Sequence, residues 1–89
     1  MKSYTTTKDT ILTQREIQYL LLAADGCKNL EIAQILYVSN STVKKTFENI
    51  FLKLKARTKA QALSIAYVHD IITKEDLANT SNLYNSDIF

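Results

Sequence analysis

Most of the cations of this chain of 89 residues lie in one short stretch. Six of its eleven Lys and Arg residues fall between positions 40 and 60, where Glu48 is the only acid, so that the local net charge is +5. The cations are Lys44, Lys45, Lys53, Lys55, Arg57 and Lys59. Such a cluster is typical of a surface that binds phosphate groups. A lysine-rich helix face that only contacts solvent has the same composition, and charge alone does not separate the two interpretations.

The stretch 39–54 has the periodicity of an amphipathic helix. Lys44, Lys45 and Glu48 lie away from its apolar stripe, and Ser39 directly precedes the pattern as a predicted N-cap. The apolar positions repeat every three or four residues: Val43, Phe47, Ile50 and Leu54. The sequence therefore predicts a capped helix with one apolar face and one cationic face.

A first helix is predicted over 14–24. Thr13 and Glu16 have the spacing of a capping box, in which each side chain accepts a hydrogen bond from the other residue's backbone N–H. Gly26, the only glycine, follows the apolar repeat and can take the left-handed conformation that ends a helix.

A second, short helix is predicted over 30–36, with Asn29 as its N-cap. Only Tyr37 and Val38 separate it from Ser39, where the third helix is predicted to begin. A short helix, a tight turn and a capped basic helix form a helix-turn-helix, whose second helix enters the major groove of DNA in proteins that carry this motif.

A fourth helix is predicted to begin after Thr58, with Ala62, Leu63 and Ala66 as core positions. The apolar content of 60–72 exceeds what three other short helices can cover, and contiguous exposed apolar surface is typical of interfaces. We therefore expect a dimer through this helix.

The sequence as a whole predicts an all-α fold. A compact four-helix helix-turn-helix domain is expected over 12–72, preceded by a flexible arm over 1–11. A short helical turn and a loose tail are expected over 73–89. Short loops and the absence of proline leave no room for a sheet.

Several classes of protein are excluded. Cys27 and His69 are the only cysteine and histidine, and no paired acids, glycine-rich phosphate loop or metal-ligand cluster accompany them, so we predict no enzyme, cofactor, metal or small-molecule partner. The N-terminal segment lacks the apolar core of a signal peptide. The longest apolar run is far shorter than the roughly 18 residues that span a bilayer. A cytoplasmic protein without a membrane partner is expected.

Five groups of residues match the pattern of a known family in register and without a gap. They are Leu12-Thr13-x-Arg15-Glu16, Gly26-x-x-Asn29-x-Glu31-Ile32-Ala33-x-x-Leu36, Val38-Ser39-x-x-Thr42-Val43-Lys44, Asn49-Ile50-x-x-Lys53-Leu54 and Gln61-Ala62. Together they resemble the C-terminal DNA-binding domain of the LuxR family of bacterial transcription regulators.

The resemblance implies a third helix, about 40–54, in the major groove of double-stranded DNA, and a fourth helix that mediates homodimerisation. It implies that Lys44, Lys45 and Glu48 reach base edges, where lysine can donate to guanine and glutamate can accept from cytosine. Phosphate contacts are expected from Thr42, Thr46, Lys53, Lys55, Arg57 and Lys59. The dimer interface is expected at Leu63, Ala66 and Tyr67.

Some positions depart from the family pattern. Thr46 replaces a usual histidine, Lys55 stands where glycine is common, and Lys59 replaces a common arginine. Lys28 replaces the usual hydroxyl cap of the second helix, so that the cap moves to Asn29 or is weaker.

A second function remains open. The chain could be a protein-interaction adaptor or anti-regulator that keeps this fold and binds another regulator through the fourth helix and the tail. Because the chain begins with Met, we expect a stand-alone member of the family, whose control depends on its abundance, its tails or a protein partner.

Overall fold

Short polar turns divide the chain into helices. The structure, a computed structural model, describes residues 11–84. In that range the helices are α1 (Gln14–Ala24), α2 (Asn29–Leu36), α3 (Asn40–Leu54), α4 (Lys59–Val68), α5 (Lys74–Ala78) and a 3₁₀ helix (Thr80–Leu83). This part of the chain contains no strand, so the predicted all-α fold class is confirmed. Apart from Ile11, the predicted N-terminal arm lies outside the described residues.

The predicted capping box begins α1. The Thr13 N–H donates to Glu16 Oε1 over 2.8 Å, and the Glu16 N–H donates to Thr13 Oγ1 over 3.0 Å. Both groups would otherwise lack partners in the first turn. Past the end of α1, Gly26 has φ +96°, a conformation that a side chain would strain.

The start of α2 differs from the prediction. Asn29 is the first residue of the helix and not its cap, and Lys28 occupies the cap position without a side-chain acceptor. The side-chain hydrogen bond at the start of α2 comes from Glu31, whose Oε1 accepts from the Lys28 N–H over 2.7 Å. The helix therefore has the weaker of the two caps that the sequence allows.

Both ends of α3 follow from local contacts. Ser39 Oγ accepts from the Thr42 N–H over 3.0 Å, as predicted. Lys55 ends the helix with φ 58°, the left-handed conformation that glycine adopts without strain. A lysine therefore adopts the backbone conformation that glycine favours, and this strain costs about 1 kcal/mol of folding free energy.

The apolar stripe of α3 forms the centre of the core, as predicted. Val43 and Ile50 are fully buried, and Phe47 is 3% exposed. The Phe47 ring meets the buried Tyr19 ring of α1 edge to face, with centroids 5.8 Å apart. Because α1 and α4 both pack against α3, the buried stripe fixes which face of α3 points outward.

The C-terminal segment is more ordered than predicted. Thr73 and Asp76 form a capping box that begins α5, in agreement with the predicted extra turn. The prediction of a loose tail is wrong for residues 79–84, because Thr80 is buried and its Oγ1 donates to Asp25 Oδ1 over 3.2 Å. The Tyr84 hydroxyl donates to the same carboxylate. Residues 85–89 lie outside the described part.

No helix within residues 11–84 is long and apolar enough to cross a membrane.

Candidate nucleic-acid interface

A three-residue turn joins α2 to α3. Tyr37 ends α2 in the left-handed conformation, with φ 58°, and the N–H of Val38 donates to Ala33 O over 3.0 Å. Ser39 then caps α3. The two helices and their tight turn have the local architecture of a helix-turn-helix.

Arg15 holds this pair of helices against α1. Its guanidinium donates to the carbonyl oxygen of Leu36 over 3.1 Å, at the end of α2. A second guanidinium N–H donates to Gln18 Oε1 over 3.2 Å. Arg15 belongs to the first group of motif residues, but the sequence pattern predicts no role for its side chain. The sequence carries no signal for this contact, because the carbonyl acceptor lies 21 positions away in the chain.

The outer face of α3 carries the three residues predicted to reach base edges. Lys44, Lys45 and Glu48 are all exposed, on the side opposite the buried Val43 and Ile50. Among residues 11–84, none of the three side chains makes a hydrogen bond or an ion pair. Two ammonium groups and a carboxylate are therefore available to a ligand along one helix face.

The two threonines of α3 differ in what they can donate. Thr42 is exposed in the first turn, where its Oγ1 accepts from Ser39 Oγ over 2.9 Å and keeps its own proton for another acceptor. Thr46 is half-buried, and its Oγ1 donates to Thr42 O over 2.8 Å. Thr46 must give up that bond before it can donate to a phosphate.

Lys53, a predicted phosphate contact, is ion-paired within the protein. Its Nζ lies 2.8 Å from Oε1 and 3.0 Å from Oε2 of Glu16. The Lys53 side chain is 35% exposed and the Glu16 side chain only 10%. The Glu16 carboxylate therefore takes part in both the cap of α1 and the ion pair with Lys53. Lys53 would have to break this ion pair to reach a phosphate.

Lys59, a second predicted phosphate contact, also has partners inside the protein. Its Nζ donates to Asn29 Oδ1 over 2.5 Å and lies 4.6 Å from the centre of the Phe47 ring. The residue is half-buried. The structure thus separates Lys53 and Lys59 from the cations that face solvent.

Lys55 and Arg57 remain on the surface in the turn between α3 and α4. Neither side chain has a hydrogen-bond or ion-pair partner within the described residues, although the Arg57 N–H donates to Gln61 Oε1 over 2.7 Å. A shallow open groove follows this turn along the end of α3, lined by Glu48, Phe51, Leu52, Lys55, Ala56 and Arg57. The groove joins the two cations to Glu48 on the outer face of α3.

The predicted dimer residues of α4 lie at three different depths. Leu63 is half-buried and Tyr67 is 46% exposed, so both have surface for a partner. Ala66 is fully buried inside the chain, as predicted for a core position, and has no exposed surface for a dimer partner. The neighbouring Val68 is 70% exposed and was not among the predicted interface residues.

Most of the chain is similar in sequence to known proteins. A family model described as "Bacterial regulatory proteins, luxR family" matches residues 10–66. Curated relatives include the "Response regulator protein VraR" of Staphylococcus aureus (strain COL), of Staphylococcus saprophyticus and of Staphylococcus epidermidis. Each is 40% identical over 62 residues, which are 70% of this chain but 30% of the relative. No solved structure gave a significant match.

Proposed function

We infer that this chain, which belongs to the luxR family of bacterial regulatory proteins, binds duplex DNA at specific sequences with α3 in the major groove. Family membership makes the chain a helix-turn-helix DNA-binding domain of a transcription regulator. The mode of binding, the residues that read the sequence and the dimer are our proposal. Because the proposed partner is DNA, we expect the protein in the bacterial cytoplasm.

One observation supports the proposal most strongly. Lys44 and Lys45 are exposed side by side on α3, and neither has a partner in the described part of the chain. Lysine can donate to O6 and N7 of guanine, and Glu48, one turn further on, can accept from the amino group of cytosine. A helix that presents both donors and an acceptor on one face can discriminate between base pairs.

Phosphate contacts would set the register of α3 on the duplex. We assign them first to exposed residues at the two ends of α3, which are Thr42 in its first turn and Lys55 and Arg57 just after its last residue. Thr46 and Lys53 would contribute only after breaking their contacts inside the protein. Because cations supply most of these contacts, affinity should fall steeply as the salt concentration rises.

A homodimer through α4 would place two copies of α3 on two half-sites. Half-sites read by a helix-turn-helix dimer lie about one helical turn, or a multiple of it, apart. Tyr67 and Val68 provide exposed apolar surface for such an interface, with Leu63 beside them.

The exposed apolar surface of α4 also favours a second candidate, a protein-interaction adaptor or anti-regulator that binds another regulator. Titration against random-sequence duplexes at low salt separates the two functions. A DNA-binding regulator binds these duplexes, and its affinity decreases linearly on logarithmic axes with added salt. An adaptor leaves them unbound and forms a stable complex with a different protein.

A further inference from the structure

We propose that Lys59 is a positioning residue for DNA reading, which holds α2 and α3 in register through Asn29 and Phe47 and does not bind phosphate. This inference rests on the proposed function. It reverses the assignment of Lys59 as a phosphate contact and gives Asn29, which does not cap α2, a different role.

The ammonium group of Lys59 touches two helices besides its own. Lys59 is the first residue of α4, Asn29 is the first residue of α2, and Phe47 lies in the middle of α3. The Nζ atom is 2.5 Å from Asn29 Oδ1 and 4.6 Å from the centre of the Phe47 ring. One side chain therefore connects three helices at a single point.

Both contacts draw the ammonium toward the protein interior. A hydrogen bond from a charged donor is stronger than one between neutral groups. The face of an aromatic ring adds an electrostatic attraction for the cation. Phe47 is itself 3% exposed and packs on Tyr19, so the ring cannot follow the lysine outward. Reaching a phosphate would separate Lys59 from both partners.

The position of Lys59 in its own helix favours the same conclusion. A cation in the first turn of a helix is repelled by the positive end of the helix dipole. The Asn29 oxygen and the Phe47 ring offset this repulsion where the lysine stands. The contacts thus explain why a cation can occupy the first position of α4.

The consequence for reading follows from where the two partners lie. The turn at Tyr37–Ser39 joins α2 to α3 at one end, and Lys59 ties the other end of α2 to the middle of α3. Loss of the Lys59 contacts with Asn29 and Phe47 would let α3 rotate relative to α2 by a small angle. Base contacts need exact geometry, whereas contacts with phosphates tolerate small shifts, so binding to the cognate site should suffer more than non-specific binding.

A double-mutant cycle tests the inference. Lys59→Met, Asn29→Ala and the double variant are titrated against a cognate and a random-sequence duplex, with Lys55→Met as the control for loss of an exposed cation. The cognate duplex is one selected by the wild-type protein. Circular dichroism verifies that each variant is folded. Asn29→Ala removes the contact without changing the charge, so it remains informative if Lys59→Met does not fold.

We expect each single variant to bind the cognate duplex about five-fold more weakly, a change of about 1 kcal/mol, and the random duplex nearly as well as wild type. The double variant should resemble the single ones, since both substitutions remove one interaction. The inference about Lys59 would be overturned if Lys59→Met weakened binding to both duplexes equally and Asn29→Ala left both affinities unchanged. That result would leave the proposed function intact. A wild-type protein that binds no duplex would overturn the proposed function itself.

Discussion

The ammonium of Lys53 lies within 3.0 Å of both carboxylate oxygens of Glu16, and one of these oxygens also accepts the N–H of Thr13. One carboxylate thereby begins α1 and ties it to the last turn of α3. The Glu16 side chain thus adds an ion pair to the packing of Tyr19 on Phe47, which also holds the first helix against the proposed reading helix.

Glu16→Ala should destabilise the protein more than Glu16→Gln. Glutamine keeps the acceptor for the Thr13 N–H and loses only the ion pair, whereas alanine loses both and leaves Lys53 without its partner. We expect a loss of about 2 kcal/mol for alanine and about half of that for glutamine, measured by urea unfolding. Equal losses would show that the cap contributes nothing.

Lys55→Gly should stabilise the fold. Lys55 has φ 58°, and glycine removes the left-handed strain of about 1 kcal/mol, although part of the gain is lost to the greater freedom of the unfolded chain. Lys45→Gly is the matched control, because glycine within a helix costs about 1 kcal/mol. The free energies of unfolding should therefore move in opposite directions, and a destabilising Lys55→Gly would contradict the prediction.

Tyr84→Phe should weaken the attachment of the C-terminal segment to the end of α1. The hydrogen bond to Asp25, and then that to Cys27, raise the pKa of the Tyr84 hydroxyl above its ordinary value. A pKa that is higher in the folded state gives stability that is present below about pH 10 and is lost as the pH rises further. We expect the stability difference between wild type and Tyr84→Phe, measured by urea unfolding, to shrink above that pH.

A stability difference between wild type and Tyr84→Phe that stays constant from pH 8 to pH 11 would contradict a role for the protonated hydroxyl. Cys27→Ala is the companion variant, since Cys27 Sγ lies 3.3 Å from the Tyr84 hydroxyl oxygen but is not the main acceptor. Its effect on the pH dependence should be smaller.

Tyr67→Glu should dissociate the proposed dimer, because it places a charge in the apolar surface of α4. Sedimentation equilibrium of both proteins at several concentrations measures the change. Leu30→Glu is the control, since it adds the same charge at an exposed apolar residue of a different helix, where Leu30 is 64% exposed. A wild-type protein that is monomeric at high concentration would rule out the homodimer.

Local contacts account for most of what the sequence could predict. The sequence predicts three helix caps, because a cap needs only a hydroxyl residue directly before the helix. In the structure each hydroxyl accepts from the backbone N–H three residues further on, at Thr13, Ser39 and Thr58. The stripe of α3 was recognised because helical periodicity alone places Val43 and Ile50 on one face.

The contacts that the sequence does not reveal involve side chains whose partners are distant in the chain. Lys59 bonds to a residue 30 positions away, Lys53 to one 37 positions away and Tyr84 to one 59 positions away. Their charge or polarity is visible in the sequence, but which acceptor they meet depends on how the helices pack. The buried side of α4 likewise depends on packing, and for that reason the sequence alone does not separate a core role of Ala66 from an interface role.

The most direct test of sequence reading by α3 is selection of bound sequences from a random duplex pool at a fixed salt concentration. The wild-type protein should enrich a motif with two half-sites about one helical turn apart. Lys44→Ala and Lys45→Ala should alter or lose that motif, while Lys55→Ala should keep it and bind all duplexes more weakly. Retention of the full wild-type motif by both Lys44→Ala and Lys45→Ala would contradict the assignment of α3 as the reading helix through these lysines.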